Sequence, residues 1–162
     1  MKYHNITHDD MLNGDGIRVV LWVSGCEHGC KNCHNKITWD INSGLDFDEN
    51  AKNEIFKDLQ KDYVKGITFS GGDPLHTKNR DEILNIVKEI KQKFPKKDVW
   101  LYTGYTWEKI KHLDIVNYID ILVDGKFEQD LHNPDLHWKG SSNQRVIDVK
   151  KTLKNNQIVI HC

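Results

Sequence analysis

The chain has 162 residues, a formal net charge of −1 and a sequence pI near 6.7, so it lacks the basic excess of a nucleic-acid or anionic-membrane binder. Lysine is plentiful and arginine scarce, which further disfavours bidentate reading of phosphates or bases. With 38% apolar and 29% charged residues, the composition fits a single globular domain over 1–162 that buries its own core.

Read from the start, the segment MKYHNITHDDML has no basic and apolar leader. No run approaches the roughly 20 apolar residues of a membrane span. The expectation is a cytoplasmic protein with no nucleic acid or membrane among its partners. Thiols stay reduced there, and clustered cysteines point to metal or catalytic chemistry before disulfides. Asn13-Gly14 and Asp15-Gly16 are turn signals. Ile17–Val23 (IRVVLWV) is β-branched and nearly continuous, the pattern of a strand buried on both faces. Arg18 opens this strand and needs either a partner or solvent. A cysteine loop follows directly.

Ile55, Phe56, Leu59 and Tyr63 have helical spacing. Gly66–Ser70 is a short strand that ends in Gly71-Gly72-Asp73-Pro74. Ile83, Leu84, Ile86, Val87 and Ile90 mark an amphipathic helix with Asp or Asn near its start as caps. Val99–Tyr102 is the next strand and stops at Gly104; Trp107–Leu113 reads as helix. Ile119–Val123 is a further strand that ends at Asp124-Gly125, and Val146–Val149 and Ile158–Ile160 are weaker strand candidates. This alternation predicts an α/β fold with mostly parallel strands and right-handed crossovers. The chain is short of the about 250 residues of a full eight-unit barrel, so a partial (β/α) barrel is expected. Ligands then bind beyond the C-terminal strand ends, where the cysteine loop and the glycine turns all fall.

Cys26, Cys30 and Cys33 are spaced by three residues and then two. Thiolates are soft ligands suited to iron–sulfur clusters and to zinc. Three thiolates would leave one iron of a 4Fe–4S cluster open to a chelating ligand. A structural zinc wants four protein ligands, which His28 or His34 would complete as a Cys3His set. A dithiol centre at Cys30 and Cys33 is a third reading. The spacing favours the cluster and leaves the other two open. Cys162 is the last residue of the sequence and reads as a bystander thiol.

The cysteine loop after one strand and the Gly-Gly-Asp turn after the next resemble the radical S-adenosylmethionine enzymes. Asn13-Gly14-Asp15-Gly16-Ile17-Arg18 is similar to the start of the glycyl-radical activating branch. Ser70–His76, Tyr102–Tyr105, Leu122–Phe127 and Gly140–Gln144 resemble the members of that branch that serve anaerobic ribonucleoside-triphosphate reductases. The sequence departs from the pattern at Asn32, where an aromatic residue is frequent, at Asp73, where Glu is frequent, and at Asp15, where Pro is common. The resemblance implies a fold of the radical S-adenosylmethionine type. It implies a 4Fe–4S cluster on Cys26, Cys30 and Cys33, and S-adenosylmethionine held near Asn32, Cys33, His34, Gly71, Gly72 and Asp73. It further implies that a 5′-deoxyadenosyl radical takes hydrogen from a glycine of the reductase. A flavodoxin-like protein would supply the electron, because no second cluster motif is present. A homodimer within a heterotetramer with the reductase is the expected assembly. Asp124 and Lys126 are candidates for the sugar or the methionine carboxylate, Asn143 and Gln144 for the pocket or partner surface, and Arg18 for partner binding or charge balance. His4, His8, His112, His132, His137 and His161 read as surface residues. An activator of another glycyl-radical enzyme and a zinc-stabilised binding module are the rival readings.

Overall fold

The computed structural model of the chain describes residues 1–162. Its centre is one seven-stranded sheet. The elements in chain order are β1 (Lys2–Asp10), β2 (Ile17–Val23), β3 (Leu45–Asp46), α1 (Glu49–Leu59), β4 (Val64–Gly71) and α2 (Arg80–Lys93). They continue with β5 (Asp98–Tyr102), the single turn α3 (Trp107–Ile110), β6 (Ile121–Asp124), β7 (Arg145–Asp148) and α4 (Val149–Asn155). The spatial order is β3-β1-β2-β4-β5-β6-β7. No helix is long and apolar enough to cross a membrane.

The four central strands β2, β4, β5 and β6 run parallel. The expectation of mostly parallel strands needs correction, because half of the pairings in this open sheet are antiparallel: β1 with β2, β1 with β3, and β6 with β7. Two physical causes account for this. The N-terminal segment KYHNITHDD reads as polar, yet it forms a hairpin partner for β2 whose register is broken by two bulges. Such irregular polar edges lack the apolar alternation that marks a strand in sequence. Beyond β6, the connection to β7 contains only the short 3-10 helix Gln129–Leu131. Without a crossover helix packed on the sheet, the chain re-enters antiparallel.

Alternate residues of the strands point to opposite faces. Val19, Leu21, Ile67, Phe69, Val99 and Leu101 face α1 and α2 in a core of 26 buried residues. Ile55 and Leu59 of α1, and Ile83, Val87 and Ile90 of α2, are fully buried against them. The opposite face carries a smaller cluster of Trp100, Ile121, Val123 and Val146, with Tyr102 and Trp138 packed against it. Arg18 lies on this face, is 0% exposed, and is satisfied inside the protein. It donates to Thr68 Oγ1 (2.8 Å), Ile67 O (2.8 Å) and Asp15 O (2.9 Å), and it pairs with the Asp98 carboxylate. Its role is to hold the sheet interior together.

Asp48 caps α1 by accepting from the backbone N–H of Ala51. Asn79, the expected kind of cap for α2, acts differently. Its side chain is buried and donates to Ser24 O at 2.8 Å, fastening the helix start to the cysteine loop.

Candidate functional site

The C-terminal ends of β2, β4, β5 and β6 open on one cavity of about 270 Å3. Cys26, Cys30 and Cys33 all line it. So do Gly71 and Gly72 from the end of β4, Thr103 and Gly104 beyond β5, and Gly125 and Phe127 beyond β6. His34 lines it as well, its ring 5.9 Å from Phe127 and 6.1 Å from His132. Asn32 does not line the cavity; it is exposed, with a left-handed φ of 57°. Asp73 lies behind the wall and does not line it either.

The cysteine loop folds back on itself after β2. Gly25 N–H donates to Thr38 O (2.6 Å) and Cys26 N–H to Trp39 O (3.1 Å). Cys33 N–H bonds to Cys30 O at 3.2 Å, closing a tight turn, and the Cys33 sulfur accepts from Asn35 N–H at 3.4 Å. Burial pushes the Cys26 thiol up to about 11, against the lowering effect of the His28 backbone N–H. Burial also raises Cys30, against the Phe127 backbone. These thiols favour the neutral form until a cation displaces the proton.

The two glycines of the β4 turn are required by the protein itself. Gly71 has φ of 106°, and a Cβ there would lie 2.5 Å from Val23 N. At Gly72 a Cβ would lie 2.5 Å from Gly25 O and 2.8 Å from Thr38 O. The close approach is thus between the β4 turn and the cysteine loop, which brings both into one wall.

Asp73 is 1% exposed, and its carboxylate is shared among the strand ends. Oδ1 accepts from Leu75 N–H and Thr103 Oγ1, each at 2.9 Å. Oδ2 accepts from Gly104 N–H at 2.9 Å and lies 2.5 Å from His28 Nε2. Sequence reasoning considered His28 only as a zinc ligand. The structure instead uses its ring to tie the cysteine loop to Asp73, with its edge on Tyr105 at a centroid distance of 4.6 Å. The available signal was an imidazole and a carboxylate placed on loops at neighbouring strand ends.

A second groove of about 680 Å3 adjoins the cavity and shares His28, Gly104 and Gly125 with it. Lys126 lines this groove. Asp124 borders it but is 1% exposed, and its carboxylate is committed. It accepts from Trp107 N–H at 2.8 Å and from Arg145 Nε and Nη2 at 3.1 and 2.5 Å. Arg145 also forks onto Glu108, at 3.2 and 2.9 Å. Asp124 therefore holds α3 and β7 against β6. Gln144 lines the cysteine cavity while its amide closes the preceding loop, taking Gly140 N–H (2.9 Å) and Ser141 N–H (3.1 Å) and giving to Gly125 O (2.9 Å). Asn143 donates to Lys126 O at 2.7 Å.

The chemistry of the donors suits an iron–sulfur cluster: three soft sulfurs line one cavity, and His28, one of the two histidines that could complete a zinc set, is engaged by Asp73.

Comparison with known proteins supports this assignment. Residues 12–147 match the family model described as a 4Fe-4S single cluster domain. The chain is 47% identical over 146 residues to the anaerobic ribonucleoside-triphosphate reductase-activating protein of Enterobacteria phage T4, covering 90% of this chain and 93% of that protein. It is 46% identical over 150 residues to the protein of that name from Escherichia coli K12, covering 90% and 97%. With the Pasteurella multocida protein it shares 45% identity over 150 residues, covering 89% and 95%. The chain belongs to the family of anaerobic ribonucleoside-triphosphate reductase-activating proteins, within the 4Fe-4S single-cluster class.

Proposed function

We propose that this protein activates an anaerobic ribonucleoside-triphosphate reductase by radical S-adenosylmethionine chemistry, as a glycyl-radical-activating oxidoreductase. One observation carries the reading: three thiols and the Gly71-Gly72 turn share one cavity at the ends of four parallel strands. That is where α/β sheets bind ligands. In this reading the open sheet is the radical S-adenosylmethionine type of partial barrel.

Cys26, Cys30 and Cys33 would hold the 4Fe–4S cluster, and S-adenosylmethionine would take the remaining coordination position. Together the two groups would supply one-electron cleavage of the sulfonium and a 5′-deoxyadenosyl radical for hydrogen abstraction from the target glycine. The carbonyls of Gly71 and Gly72 would accept from the methionine ammonium. Asp73 acts by holding the loops that present them, since its own oxygens are occupied. Cys33 and His34, which line the cavity, and the backbone of the neighbouring Asn32 would contribute to the cofactor region, and Lys126 would reach the methionine carboxylate from the adjoining groove. The cavity walls, with the docked reductase completing the enclosure, would shield the radical from water. A flavodoxin-like donor, a homodimer joined to a dimeric reductase, and a cytoplasmic location complete the proposal.

The test is anaerobic reconstitution followed by reduction with S-adenosylmethionine and the cognate reductase. Brown protein with near four irons per chain, 5′-deoxyadenosine release and a glycyl signal by electron paramagnetic resonance on the reductase are expected. Colourless protein holding one zinc, with no 5′-deoxyadenosine, would overturn the enzyme. Cleavage without a signal on the reductase but with one on another partner would overturn the substrate.

A further inference from the structure

Asp15 is the point at which the sequence departs from the resemblance by carrying a carboxylate. The structure gives that carboxylate two partners distant in sequence. Oδ1 accepts from Trp138 Nε1 at 3.1 Å, and Oδ2 lies 2.8 Å from His161 Nε2. The Asp15 peptide carbonyl takes Arg18 Nη1 at 2.9 Å, so the turn is anchored to the sheet interior.

Two of the three segments meeting at Asp15 bear on the cysteine cavity. Asn13, two residues earlier, lines it, and its carbonyl is fixed by Thr68 Oγ1 at 2.7 Å. Gly140, two residues beyond Trp138, also lines it. The stretch from Lys126 to Gln144 has one 3-10 turn as its only helical or strand element. Trp138 is held at two points: its carbonyl accepts from Tyr102 Oη at 2.8 Å, and its indole N–H goes to Asp15. The C-terminal residues add a third layer, with His161 N–H on Val146 O at 2.7 Å and its ring edge-on to Trp100 at 5.5 Å. Trp138 meets the same Trp100 ring at 5.9 Å. Burial alone would raise the Asp15 carboxyl, but the bonds from His161 and Trp138 and the nearby Lys65 outweigh it and leave it lowered.

We propose that Asp15 is a positioning residue: with His161 it fastens the 126–144 segment and the C-terminal tail to the turn before β2, and thereby sets the enclosure of the cysteine cavity. The segment carries its own hydrogen bonds, among them Asn133 N–H to Gly140 O and Ser142 N–H to Leu131 O, and its seat on the sheet is set by the external anchors at Trp138 and Gln144. Loss of one anchor frees the segment without melting the sheet. The consequence for a radical cofactor is access of oxygen and water. That consequence rests on the function proposed above; the fastening itself does not.

The experiment separates the two. Hydrogen exchange is measured on full-length metal-free wild type, Asp15→Ala, Asp15→Asn and His161→Ala. Peptides covering 127–144 are expected to exchange about fivefold faster in Asp15→Ala and His161→Ala, with β4 and β5 unchanged. His161→Ala placed on Asp15→Ala should add nothing, because both act through one carboxylate. In anaerobically reconstituted protein, air bleaching of the cluster should accelerate by a similar factor at equal starting iron. Unchanged exchange over 127–144, additive effects in the double variant, or an unchanged bleaching rate would each overturn the proposal. If Asp15→Ala fails to fold, Asp15→Asn and His161→Ala carry the same comparisons. Failure of wild type to take up iron would count against the proposed function and leave the exchange result standing.

Discussion

His28 Nε2 and Asp73 Oδ2 lie 2.5 Å apart, with side chains only 7% and 2% exposed. This contact ties the loop between the first two cysteines to the turn of β4. Removing the imidazole leaves a buried carboxylate short of one donor, at a cost of about 1–3 kcal/mol. His28→Ala should therefore lower the melting temperature and hasten iron loss from reconstituted protein. His28→Gln, which keeps a donor, should recover part of both. Equal stability of wild type and His28→Ala would show that the pair does not hold the loop.

The three loop cysteines and Cys162 make opposite predictions. Changing any one of Cys26, Cys30 or Cys33 to Ala should abolish S-adenosylmethionine cleavage and reduce bound iron. Cys162→Ala should leave both near wild-type values, since Cys162 is exposed and does not line the cavity. Iron analysis and 5′-deoxyadenosine assay decide between them.

Gly71→Ala and Gly72→Ala test whether the glycines serve the fold. Gly71 combines a left-handed backbone with a Cβ position 2.5 Å from Val23 N. A strained φ alone costs about 1–3 kcal/mol, and the backbone contact adds to it. Both variants should lose stability in urea even as metal-free protein. If the glycines mattered only for the cofactor, metal-free stability would be unaffected.

Asp120 gives a pH-dependent prediction. Its carboxylate receives Lys91 Nζ at 2.5 Å, Lys150 Nζ at 2.9 Å and Val99 N–H at 2.8 Å. Burial raises its pKa, but the bonds from Lys150, Lys91 and Val99 prevail and leave it lowered. A lowered folded pKa stabilises the protein above the ordinary carboxylate range, and this is lost as pH falls through the lowered value. Asp120→Asn should be less stable than wild type by about 1–2 kcal/mol at neutral pH. The difference should shrink towards pH 3. A gap independent of pH would mean that the charge on Asp120 contributes nothing.

The parallel centre of the fold was readable because β2, β4, β5 and β6 are compact apolar runs ending in glycine or aspartate turns. The cysteine loop and the β4 turn were readable for the same reason, as motifs at strand ends. β1 was not, because its polar edge residues follow no apolar alternation. The direction of β7 was hidden too, since pairing direction depends on what the connection packs against. The glycine turn was found, but its cause lies in Val23, Gly25 and Thr38, which sequence does not place beside it. His28 with Asp73 and Asp15 with His161 were invisible as pairs. Their members are 45 and 146 residues apart, and each looks ordinary alone.

The cysteine cavity draws its walls from Asn13 at one extreme and Gln144 at the other. A ribosome delivers these parts in order, and the thiols emerge long before the wall that faces them. For most of synthesis the cysteines stand on an unfinished surface, open to any metal or oxidant at hand. The finished cavity exists only after Gln144 has closed on Gly125. Loading of the full site is therefore a task for the completed chain.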